Sequence, residues 1–346
     1  MALNPMRPRP AEDAAEAPTP GTLDPRTIVG ELYRGLLDRE ADQDGLNHHS
    51  AALGSGTALA QLLRGFVASP EFVAKHGGST PVDHYIRVDQ DPPLRIDLDL
   101  TAPQLARLWA HVGATWATLG QDDPYWSVLT DPRFHLPNMS DAAVLQFFYD
   151  SGQTDLKRLD AWLRRNHLAL RSDMVCAEYG CGVGRLTGWL ARRCKQVRAF
   201  DISPTHLARA QEWLTGQDVR NIDFHLVRNP SDLNRLAGID LFFSSIVLQH
   251  NPPPIIALIL DHAFRHLRPG GLAFFQVPTY TRNYAFDLER YLSGIGSHEG
   301  MEMHVLTQQD IFALADRHGV VPLEVEQDGL ISGWGTSHTF LLRKAA

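Results

Sequence analysis

The sequence predicts an α/β protein built on a mostly parallel sheet, with a small all-helical unit ahead of it. Residues 174–185, Met-Val-Cys-Ala-Glu-Tyr-Gly-Cys-Gly-Val-Gly-Arg, pass from a short apolar run into glycines at 180, 182 and 184, the pattern of a buried strand entering a ligand-binding turn. Apolar runs at 197–200, 239–247 and 272–277 alternate with helical patterns, as a parallel sheet with covering helices requires. Residues 24–80 instead carry helix-period patterning, with Ile28, Val29, Leu32, Tyr33, Leu36 and Leu37 on one face of the first helix.

Composition bounds the function. The chain has 346 residues, 44% apolar and 21% charged, which is ordinary globular composition with room for about two domains. Its 32 basic against 40 acidic residues give a net charge of −8. A partner bound through a phosphate-neutralising surface is therefore not expected, neither nucleic acid nor anionic membrane. No run approaches the ~20 apolar residues of a membrane span. Residues 1–23, rich in proline, alanine and acids, lack the apolar segment of a signal peptide and read as a disordered tail. Cys176, Cys181 and Cys194 show no metal-binding spacing, so reduced thiols and a cytoplasmic location are expected.

In the first unit, Asp24 caps and Pro25 opens the first helix. A short helix at 46–53 and a longer one carrying Ala58, Leu59, Leu62, Leu63, Phe66 and Val67 follow, and Ser69-Pro70 starts a last turn that closes at Gly77-Gly78. Glu40, Asp42, Asp44 and Gly45 match the start of a calcium loop, but Ala51 stands where that loop needs a bidentate Glu, so a capped helix connection is preferred. His48 and His49 read as surface residues. Residues 81–153 form an aromatic connector: an extended start through Ile96, Leu98 and Leu100, a helix capped by Thr101 and ending at Gly120, and helices from Ser140 and from Thr154. Its helical aromatics are read as core, whereas Tyr125 and Trp126, in a proline-flanked loop, are candidates to line a substrate pocket.

The glycine spacing separates two ligand classes. A dinucleotide fingerprint needs glycine at 185, where Arg185 stands; the pattern is Glu178-x-Gly180-x-Gly182-x-Gly184. The next strand ends in Asp201, whose carboxylate can accept both hydroxyls of a ribose. This constellation resembles the first motif of class I S-adenosylmethionine-dependent methyltransferases, in which the acid neighbours the methionine end of the cofactor. Over residues 154–346 the resemblance implies a Rossmann-like, seven-stranded core with an antiparallel last strand and S-adenosylmethionine as cofactor. The cofactor-binding set it implies is Glu178, Tyr179, Gly180, Gly182, Gly184, Asp201, Ile202 and Gln249, with Asp232 near the adenine amino group. Segments 32–46 and 66–72 resemble a small bacterial all-helical domain of unknown function, found in secreted repeat proteins and beside glycan-modifying enzymes; this suggests an adaptor that could meet a protein partner.

The fourth strand, 239–247, ends in Leu-Gln-His-Asn, and His250 is read either as a base near the methyl-transfer point or as a structural helix cap. Asn251-Pro252-Pro253-Pro254 echoes a motif of adenine amino-group methyltransferases, but Pro254 replaces the stacking aromatic; the prolines are read as opening the helix that runs to Leu267. Arg268-Pro-Gly-Gly271 reads as the turn before the fifth strand. His262 and His266 lack a third ligand, so no metal is expected. An insertion over 278–303 supplies Tyr280 and Glu302 as candidate substrate contacts, and His304 beyond it as a second candidate base. A helix at 308–318 and strands at 321–325 and 339–342 complete the sheet. Segments 247–254 and 301–304 look similar to bacterial methyltransferases linked with surface-polysaccharide synthesis. The expected reaction is O-methylation of a hydroxyl on a glycan or small molecule, against N-methylation of an amine or nucleobase, or a non-catalytic adaptor.

Overall fold

The computed structural model describes residues 24–76, 93–294, 301–331 and 335–346. The expected tail and the glycine pair at 77–78 lie outside them. Two compact units result, Met1–Tyr85 and Ile86–Ala346.

The first unit holds α1 (Pro25–Leu37), α2 (Gln43–Gly54), α3 (Leu59–Val67) and α4 (Pro70–His76). The Asp24 carboxylate accepts the backbone N–H groups of Arg26 and Thr27, satisfying donors that the first helical turn leaves unpaired. Val29, Tyr33 and Leu37 of α1 meet Leu62, Phe66, Val67 and Phe72 in one small core. Helix α2 is longer than α3, the reverse of the sequence reading, because Asp42 caps it early by accepting the Gly45 N–H at 2.8 Å. That bond uses one of the acids resembling calcium ligands. His49 packs against Phe66 at 5.0 Å rather than standing at the surface; His48 is exposed.

The second unit begins with β1 (Arg95–Ile96) and α5 (Ala102–Asp122). Helix α5 starts at a capping box between Thr101 and Gln104 but does not stop at Gly120. A Cβ at Gly120 would lie 2.3 Å from Ser203 Oγ, so this glycine serves close helix approach, not termination. The helices expected from Ser140 and Thr154 are one continuous α6 (Ala142–Arg165), capped by Asp141. Gly152 sits mid-helix where a Cβ would meet the Arg185 carbonyl at 2.4 Å. The connector and the sheet thus share one unit, and the 153/154 boundary falls inside a helix.

Then follow β2 (Val175–Tyr179), α7 (Thr187–Ala191), β3 (Gln196–Asp201), α8 (Pro204–Gly216), β4 (Ile222–Leu226), β5 (Ile239–Ser244), α9 (Pro253–His266), β6 (Leu267–Tyr280), β7 (Ala285–Phe286), α10 (Leu288–Leu292), α11 (Gln308–Arg317), β8 (Val320–Asp328) and β9 (Thr336–Lys344). The seven-stranded sheet has the order β4-β3-β2-β5-β6-β9-β8, with β9 antiparallel to both neighbours. Strand β5 ends at Ser244, three residues before the apolar run does, because Ile246 adopts a left-handed φ of 57° and turns the chain. Arg268 to Gly271 lie within β6 as an irregularity against β5 rather than as a separate turn.

Strand β2 is buried throughout. Ala177, Phe242, Ala273, Phe275 and Phe340 on one face of the sheet join Leu108, Trp109 and Ile259 of the covering helices; Cys176, Phe243, Phe274 and Leu341 on the other join Leu159, Trp162 and Leu190. Two helical layers therefore seal the central strands, and the crevice past the carboxyl ends of β2, β3 and β5 is where a ligand can enter. The three cysteines are free and buried.

Candidate active site

A partly open cleft lies at those strand ends. Its floor is the glycine turn: Gly180 and Cys181 donate to the Phe200 carbonyl at 2.8 and 3.0 Å, and Gly182 donates to Asp201 Oδ2 at 2.8 Å. The turn is thereby fastened to the end of β3. Gly180 and Gly182 take φ of +76° and +52°, and a Cβ would stand 2.2 Å from Val247 at the first and 2.6 Å from Val128 at the second. A side chain at either would close the cleft, which is why the chain needs glycine there. Gly184 is different: it faces Leu214 and Ala210 of α8, so it allows helix packing instead of lining the cleft.

Two carboxylates flank this floor. Asp201 is held by backbone donors, Gly182 to Oδ2 and Ser203 to Oδ1, both at 2.8 Å, which leaves further lone pairs for two hydroxyls. Glu178 is 2% exposed, its Oε2 has no hydrogen-bond partner, and burial pushes its pKa up to about 8. A buried carboxylate without a partner is costly unless a ligand supplies a cation or donor. Tyr179 and Ile202 also line the cleft.

The wall beyond β5 carries His250. Its Nδ1 lies 2.8 Å from the Glu302 carbonyl and its Nε2 3.0 Å from the Gln249 amide nitrogen. The carbonyl can only accept, so Nδ1 bears the proton and Nε2 accepts from Gln249. Burial lowers the His250 pKa to about 4, far from the near-neutral value suited to a general base. His250 is thus a neutral wall residue with both nitrogens engaged.

Other residues singled out from sequence stand elsewhere. Gln249 is turned into the protein, where its Oε1 accepts from Gln276 at 3.1 Å. Asp232 accepts the Arg228 and Asn229 N–H groups as a cap. Tyr125 packs edge-on against Phe148, and Trp126 stacks on His135 at 5.4 Å; the next two residues of that loop, Ser127 and Val128, line the cleft. Tyr280 is at the end of β6, outside the cleft lining. His304 is buried, with Nδ1 2.8 Å from the Tyr284 hydroxyl and Nε2 3.5 Å from Glu302 Oε2. Glu302 lines a second, smaller cavity next to the cleft.

Sequence reasoning missed Trp116, Arg185, His206 and Asn251 among the lining residues. His206 bonds Ser127 through Nε2 at 3.0 Å and stands 3.8 Å from Asp201 Oδ1, linking the connector to the end of β3. Trp116 lies 6.4 Å from the His206 ring and 5.6 Å from the His250 ring. Helical spacing places Trp116 on an apolar face but gives no sign that this face borders a cleft. Arg185 was legible as the residue that breaks the dinucleotide pattern; its guanidinium bonds Asp155 at 2.7 Å.

Residues 177–271 match the family model described as a methyltransferase domain, and residues 16–76 match the domain of unknown function DUF4214. Residues 177–271 of the second unit, which hold the Glu178-to-Asp201 constellation and strands of the seven-stranded sheet, are thus similar to a methyltransferase domain, and the helices of the first unit fall in the DUF4214 match. Among curated proteins, the chain is 36% identical over 106 residues to a trans-aconitate 2-methyltransferase of Deinococcus radiodurans, a match covering 29% of this chain and 36% of the relative. It is 34% identical over 109 residues to the enzyme of that name from Azoarcus sp., covering 31% of this chain and 39% of the relative. The chain therefore spans little more than a third of the length of these relatives. A solved magnesium protoporphyrin IX methyltransferase from Synechocystis, with bound SAH, is 19% identical, covering 68% of this chain and 99% of that one at a TM-score of 0.47, a likeness too loose to speak for shared chemistry. Among the described residues no helix is long and apolar enough to cross a membrane, and no group of three or more His, Cys, Asp or Glu could hold a metal ion.

Proposed function

We propose that this chain is an S-adenosylmethionine-dependent methyltransferase that methylates a hydroxyl oxygen of a small-molecule or sugar acceptor. The observation that carries the reading is the buried, partnerless Glu178 oxygen facing a glycine floor, with Asp201 on the adjoining strand end. The donor set fits the cofactor: Glu178 suits its cationic methionine end, Asp201 suits ribose hydroxyls, and Gly180 and Gly182 let the ligand lie against the backbone. When bound, the cofactor would supply an electrophilic methyl group for the acceptor oxygen, with Glu178 and Asp201 holding its two ends.

What the chain contributes is alignment. In-line displacement gains most from holding donor and acceptor in one geometry and from excluding water. Trp116, Val247 and His250 make an apolar and uncharged wall suited to that task. Because His250 has both nitrogens bonded, its part is to shape that wall rather than to remove a proton.

Calorimetry with S-adenosylmethionine tests the reading. The native chain should bind at micromolar concentration, and both Gly182→Trp and Asp201→Ala should lose binding while keeping native circular dichroism. A folded native chain that does not bind would leave the adaptor reading standing instead.

A further inference from the structure

Next to the cleft lies a small, partly open cavity, with room for a group about the size of one ammonium, between α5, Tyr291 of α10 and the Met301-Glu302 pair. Trp116 and His250 line both spaces, so whatever occupies the cavity adjoins whatever occupies the cleft. Most of its lining is apolar or aromatic: Val112, Leu119, Tyr291 and Met301 besides Trp116. Into this lining projects one carboxylate, that of Glu302.

Glu302 is fixed in place. Its Oε2 accepts the Tyr291 hydroxyl at 2.6 Å, and His304, itself held by Tyr284, stands 3.5 Å away. Its other oxygen takes no hydrogen bond among the described residues. The side chain is 25% exposed, and no lysine or arginine is among the described residues lining the cavity. The neighbouring His304, with Tyr291 adding to it against the opposing effect of burial, holds the carboxyl below the usual range, so it is ionised at neutral pH. A carboxylate beside Trp and Tyr rings is the chemistry that recognises an organic cation, through an ion pair and the electron-rich ring faces. It is equally unsuited to a carboxylate-bearing acceptor, since like charges would then face each other in the cavity.

We infer that the acceptor carries a protonated amine anchored by Glu302 in this cavity, and that a second group of the same molecule, a hydroxyl, is presented to the cleft. The inference rests on the proposed methyl transfer. A protonated nitrogen has no lone pair to receive a methyl group, so the anchored atom and the methylated atom differ. The substrate class is then an amino alcohol or amino sugar rather than the trans-aconitate in the names of the curated relatives.

The test uses three probes of one shape and different charge, cyclohexylamine, cyclohexanol and cyclohexanecarboxylate, titrated into the full chain saturated with S-adenosylhomocysteine and followed by ligand-observed NMR. The amine should bind at least about tenfold more tightly than the alcohol, and the carboxylate weakest. Glu302→Gln should abolish the preference for the amine, Glu302→Asp should retain part of it, and both should bind S-adenosylmethionine as the native chain does. Equal affinities, a preference that survives Glu302→Gln, or no amine binding would overturn the inference. Failure to bind S-adenosylmethionine would instead strike the methyltransferase reading itself.

Discussion

The floor side of the cleft comes from one stretch of chain, Glu178 through His206, in which two adjacent parallel strands and the turn between them supply the floor and both carboxylates. The wall beyond it and the adjoining cavity are gathered from Trp116 on α5, His250 after β5, Tyr291 on α10 and Glu302 beyond it. The first is local in sequence and held by backbone hydrogen bonds; the second is held by side chains packing across distant segments. A site of the first kind is specified by spacing, because strand ends and turn length fix the geometry. A site of the second kind depends on how the helices settle on the sheet, and substitutions can retune it without disturbing the floor.

That contrast can be broken most severely at Gly180. Gly180→Ala places a Cβ 2.2 Å from Val247 on a residue with φ of +76°, and the combined overlap and strain of about 3 kcal/mol should weaken S-adenosylmethionine binding about a hundredfold. Adding Val247→Ala should recover part of the loss, measured by calorimetry, because only the overlap is relieved. No recovery would mean that backbone strain alone sets the effect.

Glu178 gives the next effect, with a definite sign. Its folded pKa of about 8 lies above the ordinary 4.5, so the ligand-free folded state holds a proton that the unfolded chain releases. This group therefore lowers stability progressively as pH rises from about 4.5 to about 8. Glu178→Gln should flatten that part of the melting-temperature profile, stabilise the ligand-free chain at pH 8, and weaken cofactor binding about tenfold. In the native chain at pH 7, binding should release a proton, visible as a calorimetric enthalpy that varies with the buffer's ionisation enthalpy.

Behind the His250 wall, Gln249→Leu separates support from contact. It leaves the buried Gln276 amide with fewer partners, which should cost about 1–3 kcal/mol in denaturant unfolding, while S-adenosylmethionine affinity stays within about twofold. A large loss of affinity would show that Gln249 reaches the cofactor after all. The smallest effect belongs to the first unit: Asp24→Ala removes the α1 cap and should slightly lower that unit's resistance to denaturant, with cofactor binding unchanged.

How much could be read without coordinates follows the same division. The alternation of buried strands with amphipathic helices gave the order of elements, and Glu178, Gly180, Gly182 and Asp201 were legible because each sits at a fixed offset from a strand end. Gly120 was misread as a helix end, because a glycine looks the same whether it ends a helix or admits a neighbour, and only the facing Ser203 distinguishes the two. Gln249 and His250 are adjacent in sequence, yet one faces the core and the other the cleft, a choice made by the short helical turn after β5.

The sequence by itself determined the class of fold, the glycine floor and its two acids, since these depend on local periodicity and on backbone angles that few residues other than glycine tolerate. The tertiary structure alone decided that Trp116 and His250 border both the cleft and the cavity beside it, that Glu302 enters that cavity while His304 stays buried behind it, and that His250 is neutral. Those properties arise from burial and from partners brought together across the chain, and no spacing along the sequence records them.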